Sequence, residues 1–414
     1  MKSSSFRFLW IGQASANLGD VFYIVGLISI MYTDSQSAFY LALLPFINTF
    51  GRFISGYLSP LLFNKYPLKT LLSGSQSSKT VLLFVLASLI TLQSKGSIMI
   101  ILMFIFLIAF LDGLAAPASR AMLPRLVHKD EIVKANSFFS VISQIIQLGG
   151  WALGGILVAL IGGQAVIWLT FILFVISSCL MMLIQDSTEF HLPQEKNSIG
   201  TVLKEGWKII WHTPVLRKIH VVIFIESIAN VVWIAAIIYV FVSEVLQKSE
   251  AWWGYINTTF FIGLLIGGLF CTKYSSFIEK NLRKILMITS FSVSAATLLF
   301  GYNSIAWIAL VLSVLFGIVE QIKSITMETI IQNKASSGNL PKIYGAQGAL
   351  TSLTFGVASL LLGGMADVIG VQYVFLFAGT LLAAAAVYIL ASKQIFPTNY
   401  YNDCKTEQKE KTAP

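Results

Sequence analysis

The stretch Val314–Ile325 reads VLFGIVEQIKSI, and it lies inside an apolar run that begins near Ile305. Glu320 and Lys323 stand one helical turn apart within it. Asp20, Arg52, Lys79, Asp112 and Glu226 interrupt other apolar runs in the same way. A charge at the centre of a bilayer costs roughly 2.5–3.5 kcal/mol on the insertion scale. Several such charges facing lipid would together outweigh the net stability of most domains. They must therefore pair with one another or face water, and such residues mark ion or substrate pathways. Two roles stay open for Glu320–Lys323. The pair is a structural salt bridge at i, i+3, or Glu320 exchanges a proton while Lys323 tunes it. For Asp20 and Glu226 no cation is near in sequence, and Arg52 and Lys79 are the bases expected to reach them in space. For Asp112, Arg120 lies eight residues on along the same helical face.

Uncharged polar residues fall on the same faces. One segment carries Gln13, Asn17 and Asp20 at i, i+4 and i+7. A second carries Asn48, Arg52, Ser55 and Ser59. Others carry Gln144, Gln147 and Trp151; Glu226, Asn230 and Trp233; and Gln347, Thr351 and Thr354. Each set makes one narrow polar stripe on a helix. These stripes predict a shared wet interior lined by Gln13, Asn17, Asn48, Gln144, Gln147, Trp151, Asn230, Trp233 and Gln347. The two tryptophans offer either aromatic surface to a hydrophobic or cationic ligand or ordinary packing.

The elements that must hold these residues are membrane helices. The chain of 414 residues is 56% hydrophobic and only 11% charged, where a soluble protein carries about 25% charged residues. Twelve continuous apolar segments are expected, near 7–32, 38–63, 70–93, 98–120, 136–161, 163–185, 218–243, 252–272, 284–302, 305–332, 343–369 and 372–395. Each is long enough to cross the bilayer as a helix, and continuous runs exclude a barrel. The first is not a cleaved leader, since Asp20 sits in its middle and no small-residue cleavage site follows. The fold class is thus an all-α polytopic membrane protein with twelve transmembrane helices in two six-helix bundles.

Of the 28 Lys and Arg, 23 fall on one side of this layout. Lys95 and Lys248 alone fall in the opposite loops, and Arg52, Lys79 and Lys323 lie within spans. The positive-inside rule then puts both termini in the cytoplasm and accounts for the net charge of +9 without nucleic acid, while the excess of Lys over Arg, 22 to 6, points to a bacterial plasma membrane. The expected domains are an N-terminal bundle over 1–185, a cytoplasmic central loop over 186–217, a C-terminal bundle over 218–395 and a disordered cytoplasmic tail over 396–414. The central loop includes KEGWKIIW, which reads as a short amphipathic helix on the membrane surface. The halves echo each other weakly. Gly154-Gly155 matches Gly363-Gly364 at an offset of 209, and Asp112 falls one residue from Glu320 under the same offset, as parallel repeats require.

The four histidines sit in or beside polar loops and read as surface residues. Cys179, Cys271 and Cys404 show neither metal spacing nor a disulfide framework. No nucleophile–base cluster or phosphate loop is present, so neither an enzyme nor a cofactor is expected. The expected partners are a small-molecule substrate, protons and the lipid bilayer, with the chain acting as a monomer.

The segment Asp112–Gly155, DGLAAPASRAMLPRLVHKDEIVKANSFFSVISQIIQLGGWALGG, resembles the major facilitator superfamily, and within it the branch of macrolide-efflux proteins and the enterobactin exporter. LWIGQASANLGDVFY and LKEGWKIIWHTPVLRK fit the same branch. The resemblance implies two bundles rocking about a midplane site and export driven by proton entry. Two departures stand out. The family's inner loop reads G-x-x-x-D-R-x-x-R-K, whereas here the region is GYLSPLLFNKYPLKT. Asn64 stands at the aspartate position, followed by Lys65 and, downstream, Lys69. Asn accepts hydrogen bonds but forms no charge pair. Where antiporter-like members carry Gly-Pro, this chain carries Gly150-Trp151. The cargo readings are a hydrophobic or amphipathic, macrolide-like compound; a siderophore, lipid or metabolite; or, for a receptor or assembly partner, no cargo. Among the membrane-embedded candidates Asp20, Asp112, Glu226 and Glu320 outnumber Arg52, Lys79 and Lys323, which favours neutral or cationic cargo.

Overall fold

The computed structural model describes residues 3–35, 38–92, 98–186, 198–233, 235–249 and 251–397. The expected tail from 398 onward and residues 187–197 of the central loop, including His191, lie outside the described residues, as does Cys404. In chain order the helices are α1 Ser4–Ser35, α2 Ala38–Phe63, α3 Leu68–Leu92, α4 Ile98–Leu126, α5 Ile132–Met182, α6 Ile199–Leu203, α7 Glu205–His212, α8 Pro214–Ala229, α9 Ala235–Glu244, α10 Ala251–Lys273, α11 Ser275–Lys280, α12 Leu282–Tyr302, α13 Ala306–Lys334, α14 Leu340–Ile369 and α15 Val371–Ala391. Among the described residues there is no strand. In lipid the backbone must satisfy itself within each segment, which leaves helices as the solution for continuous apolar runs. Pro45 and Pro60 lie inside α2, and Pro117 and Pro124 inside α4; membrane helices tolerate proline where neighbouring helices and side chains satisfy the freed backbone groups.

By length and hydropathy, nine described helices are able to cross a membrane, or ten when the bent pair Pro214–Trp233 and Ile237–Glu244 is one span. The two remaining expected spans are helical too, as α2 and the first part of α5. They also carry Asn48, Arg52, Gln144 and Gln147, which dilute their hydropathy. The fifth and sixth expected spans are two helices within the range of α5, separated by a break at Gly162, whose φ of 81° lies in the left-handed region that favours glycine.

The described residues of the chain form two compact units. The first comprises 1–128, 145–209 and 337–352; the second comprises 129–144, 210–336 and 353–414. The start of α5 therefore belongs to the second unit and the start of α14 to the first. In the first unit Tyr23, Leu27, Leu83, Leu86, Ile105, Ile108, Ile167 and Phe174 form a buried core. Hydrogen bonds between helices supplement it: Ser177 Oγ donates to the Gly12 carbonyl at 2.7 Å, and the hydroxyls of Thr80 and Ser178 lie 2.8 Å apart. The core of the second unit is aromatic, with Trp233, Phe241, Phe300, Phe316 and Phe375 in mutual ring contact.

α10 and α13 meet at small residues, as membrane helices often do. A methyl group on Gly317 would press on the Phe260 carbonyl oxygen, and it would stand 2.9 Å from the Leu264 nitrogen. Gly317→Ala is expected to cost roughly 1–3 kcal/mol through overpacking, and to displace the part of α13 that carries Glu320 and Lys323. Thermal unfolding in detergent checks this, and an unchanged midpoint would refute it.

Candidate functional site

In the first unit four helices bring four charges together. Lys79 on α3 is fully buried, and its Nζ lies 2.9 Å from Asp20 Oδ1 on α1 and 3.0 Å from Asp112 Oδ1 on α4. The guanidinium of Arg52 on α2 reaches the other oxygen of Asp112 at 2.5 Å, and its side chain remains 45% exposed. The ring of Phe174 lies 4.8 Å from the Lys79 ammonium, close enough for a cation–π attraction. Two carboxylates thus face two cations, and the cluster is neutral.

In the second unit the arrangement recurs with one base fewer. Lys323 on α13 is fully buried. Its Nζ lies 2.6 Å from Glu320 Oε2 and 3.1 Å from Glu226 Oε1 on α8. Beyond Ala229 the α-helix tightens into a 3-10 turn, Asn230–Trp233, one turn past Glu226. With both carboxyl groups ionised, the cluster sets two carboxylates on one ammonium, a net charge of −1. A buried pair needs both partners, since removing one leaves an uncompensated charge.

A second set of polar contacts lies at the helix ends. Asn64, just past α2, donates from Nδ2 to Glu205 Oε2 at 2.9 Å, and the same oxygen lies 3.1 Å from Lys342 Nζ in the first turn of α14. Arg125 at the end of α4 donates to Asp186 Oδ2 at 2.9 Å and to the Ser337 carbonyl at 3.0 Å. In the second unit Asn136 of α5 donates to Gln332 Oε1 of α13 at 2.8 Å. Glu279 in the short helix α11 is buried, with the backbone N–H of Val133 donating to its carboxylate.

A family model described as transmembrane secretion effector, within the major facilitator superfamily, matches residues 1–409. The chain belongs to the major facilitator superfamily. This transporter is 29% identical over 388 residues to the MFS-type transporter YfmI of Bacillus subtilis (strain 168), covering 93% of this chain and 96% of that one. It is 21% identical over 292 residues to the multidrug efflux pump Tap of Mycolicibacterium fortuitum, covering 68% and 69% of the two chains. The solved structure of the major facilitator transporter FucP in the outward conformation superposes with a TM-score of 0.72 at 14% identity, over 94% of this chain and 99% of that one. At that identity the likeness speaks for the fold alone.

Several expected pairings in this transporter differ in space. Asp112 pairs with Arg52 and Lys79 rather than with Arg120, which is exposed. α3 crosses beside Asp112, whereas Arg120 is two turns further along α4. Lys79 does reach Asp20, but the base beside Glu226 is Lys323. Trp233 lines no wet face. It is packed among Phe260, Phe300, Phe316 and Phe375, with Nε1 donating to Thr297 Oγ1 at 3.3 Å. The 3-10 turn rotates it off the stripe that an ideal helix would give. Trp151 is 47% exposed and Gln147 is exposed, while Gln13 donates to Asn17 Oδ1 at 2.9 Å. Asn48, Gln144, Asn230 and Gln347 are partly exposed; Lys65 is exposed, and Lys69 is half-buried at the start of α3. His128 and His212 are exposed, but His220 is buried in α8, its Nδ1 2.8 Å from the Leu216 carbonyl oxygen. It stands at the polar edge of an apolar run, and the helix begins before it.

Three further residues take part in these contacts: Tyr23, Glu205 and Glu279. Tyr23 is buried one turn from Asp20 and within electrostatic reach of Arg52 and Asp112. The i, i+3 spacing from Asp20 was the available signal. Burial pushes the Glu279 carboxyl up from 4.5 to about 7, and the nearby Asp130 carboxylate adds to the rise because both disfavour the charged form. The folded state then holds this proton more tightly than the unfolded state. The Glu279 contribution to stability is therefore present at low pH and declines as pH rises from 4.5 to about 7. Glu279→Gln is expected to flatten that decline and to raise the thermal midpoint at pH 8. Unfolding curves of both proteins between pH 5 and pH 8 check this, and parallel pH profiles would refute it.

Proposed function

We propose that this chain is a proton-coupled secondary active exporter of a hydrophobic or amphipathic compound, macrolide-like in character, working by alternating access as an antiporter. The observation that carries the reading is the cluster of Glu226, Glu320 and Lys323, where two membrane-embedded carboxylates share one ammonium. Its unbalanced negative charge is costly at that depth until a proton or a cationic group neutralises it. A site that must be neutralised in one state and released in another is what coupling requires. In this reading Glu226 and Glu320 exchange the proton. Asp20 and Asp112, balanced by Lys79 and Arg52, hold the first unit together and touch cargo at the exposed guanidinium. Gln13, Asn17, Asn48, Gln144, Gln147, Trp151, Asn230 and Gln347 offer hydrogen bonds and an aromatic face to the cargo. The likeness to a multidrug efflux pump, at 21% identity, supports a drug as the cargo class. The Lys and Arg distribution supports cytoplasmic termini; in this reading the membrane is a bacterial plasma membrane, and 1–185 and 218–395 are the two bundles of a monomer.

The test uses inverted vesicles with an imposed proton gradient and a dye for lumenal pH. Macrolides, siderophores and cationic dyes are added in turn. Proton efflux on addition of one compound supports antiport and names its class. Efflux with a siderophore alone would replace the drug reading. Ligand binding with no dependence on the gradient, and no proton flux with any compound, would replace export by a receptor role.

A further inference from the structure

The first turn of α14 places Lys342 where a cation is unwelcome. The N-terminus of a helix carries partial positive charge, and a basic residue there adds to it. α14 has no acidic residue of its own in its first turn. The compensating carboxylate comes from another element. Glu205 is the first residue of α7, which places it favourably at that helix's own N-terminus, and its Oε2 lies 3.1 Å from Lys342 Nζ. The same oxygen accepts the Asn64 hydrogen bond at 2.9 Å. One carboxylate thus joins the end of α2, the start of α7 and the start of α14, all within the first unit.

The surrounding backbone is shaped to the contact. A methyl group on Gly206 would press on the Lys342 carbonyl oxygen and stand 3.2 Å from Ala346 Cβ. On the opposite side Gly56 of α2 leaves room for Ala349 and Gly345. The first turns of α14 are held between α2 and α7, with Arg125 fixing the Ser337 carbonyl just upstream. Beyond Ser352 the same helix continues into the second unit.

We infer that Glu205 is a positioning residue that docks the start of α14 in the first unit, supplying from α7 the negative charge that the neutral Asn64 cannot. Its consequence for transport rests on the function proposed above, because α14 has to change partners for access to alternate. The docking itself does not rest on that function and is measured without cargo.

The experiment is hydrogen–deuterium exchange of the full chain in detergent or nanodiscs. Glu205→Gln and Lys342→Gln are each expected to speed exchange of the amides over 339–346 by about tenfold or more, as loss of a charge-assisted contact predicts. Amides in the middle of α12 should keep their rates, reporting an intact fold. Adding Asn64→Asp to Glu205→Gln returns the negative charge to the junction and should restore slow exchange. Gly206→Ala should speed the same amides by displacing α7 with every charge retained. Unchanged exchange in both charge variants would overturn the inference. So would fast exchange that Asn64→Asp fails to slow. If Glu205→Gln does not fold, Lys342→Gln decides alone, since its carboxylate keeps the Asn64 bond. Loss of transport with unchanged exchange would tie Glu205 to another step and refute the docking role.

Discussion

Lys323→Met is expected to be the most damaging single substitution at the charged clusters, lowering stability by about 3–5 kcal/mol. The reason is charge arithmetic in a dry place. Lys323 is fully buried and is the cation that Glu226 and Glu320 share. Removing it leaves two carboxylates together, a net charge of −2. Lys79→Met creates a smaller imbalance, because Arg52 remains on Asp112 at 2.5 Å and the first cluster falls only to −1. Unfolding midpoints of the two variants in the same detergent should therefore rank Lys323→Met well below Lys79→Met. Adding Glu320→Gln to Lys323→Met should recover part of the loss. Equal midpoints, or no loss for Lys323→Met, would show that water reaches the second cluster and that Lys323 is not its structural cation.

Glu320→Gln should abolish proton-driven transport while leaving membrane insertion intact. The amide keeps the size of the carboxyl group and leaves Lys323 paired with Glu226 at 3.1 Å. With Glu226 ionised the cluster is then neutral, so the protein is not destabilised, yet the unbalanced second carboxylate that draws a proton into the cluster is gone. In inverted vesicles, substrate-induced proton flux should vanish, and the protein should be recovered in the membrane at wild-type amounts. Transport that persists with normal pH dependence would make Glu320 structural and turn attention to Glu226 or Asp20.

Much of this architecture was legible because water and lipid sort residues so strongly. The long apolar runs could only be helices, and charges inside them could only be paired or wet. The Glu320–Lys323 pair follows from a spacing of three. Its link to Glu226 does not, because 97 residues separate Glu226 from Lys323, and only the packing of α8 on α13 brings them together. Lys79 and Asp20 are 59 residues apart, and either of two bases was a reasonable partner. The packing of Trp233, one of its two open roles, was hard to choose because helical spacing assumes an unbroken helix, and α8 gives way to a 3-10 turn just before it. Glu205 was invisible for a different reason. A carboxylate in a polar connecting segment looks like any solvated surface group until its neighbours are known. The tight contact of Gly317 on α10 was equally hidden, since a glycine in an apolar helix states nothing about which backbone approaches it.

The interleaved make-up of the two units bears on how the chain is born. The first unit lacks a piece until residues 337–352 exist, and those follow 127 residues that belong to the second unit, 210–336. At about 5–20 residues per second of synthesis, the nascent first half waits roughly 6–25 s for its final helical segment. It therefore enters the bilayer with the Glu205 carboxylate and the Gly56 face of α2 uncovered. An isolated N-terminal half, ending before α8, would remain permanently in that unfinished condition.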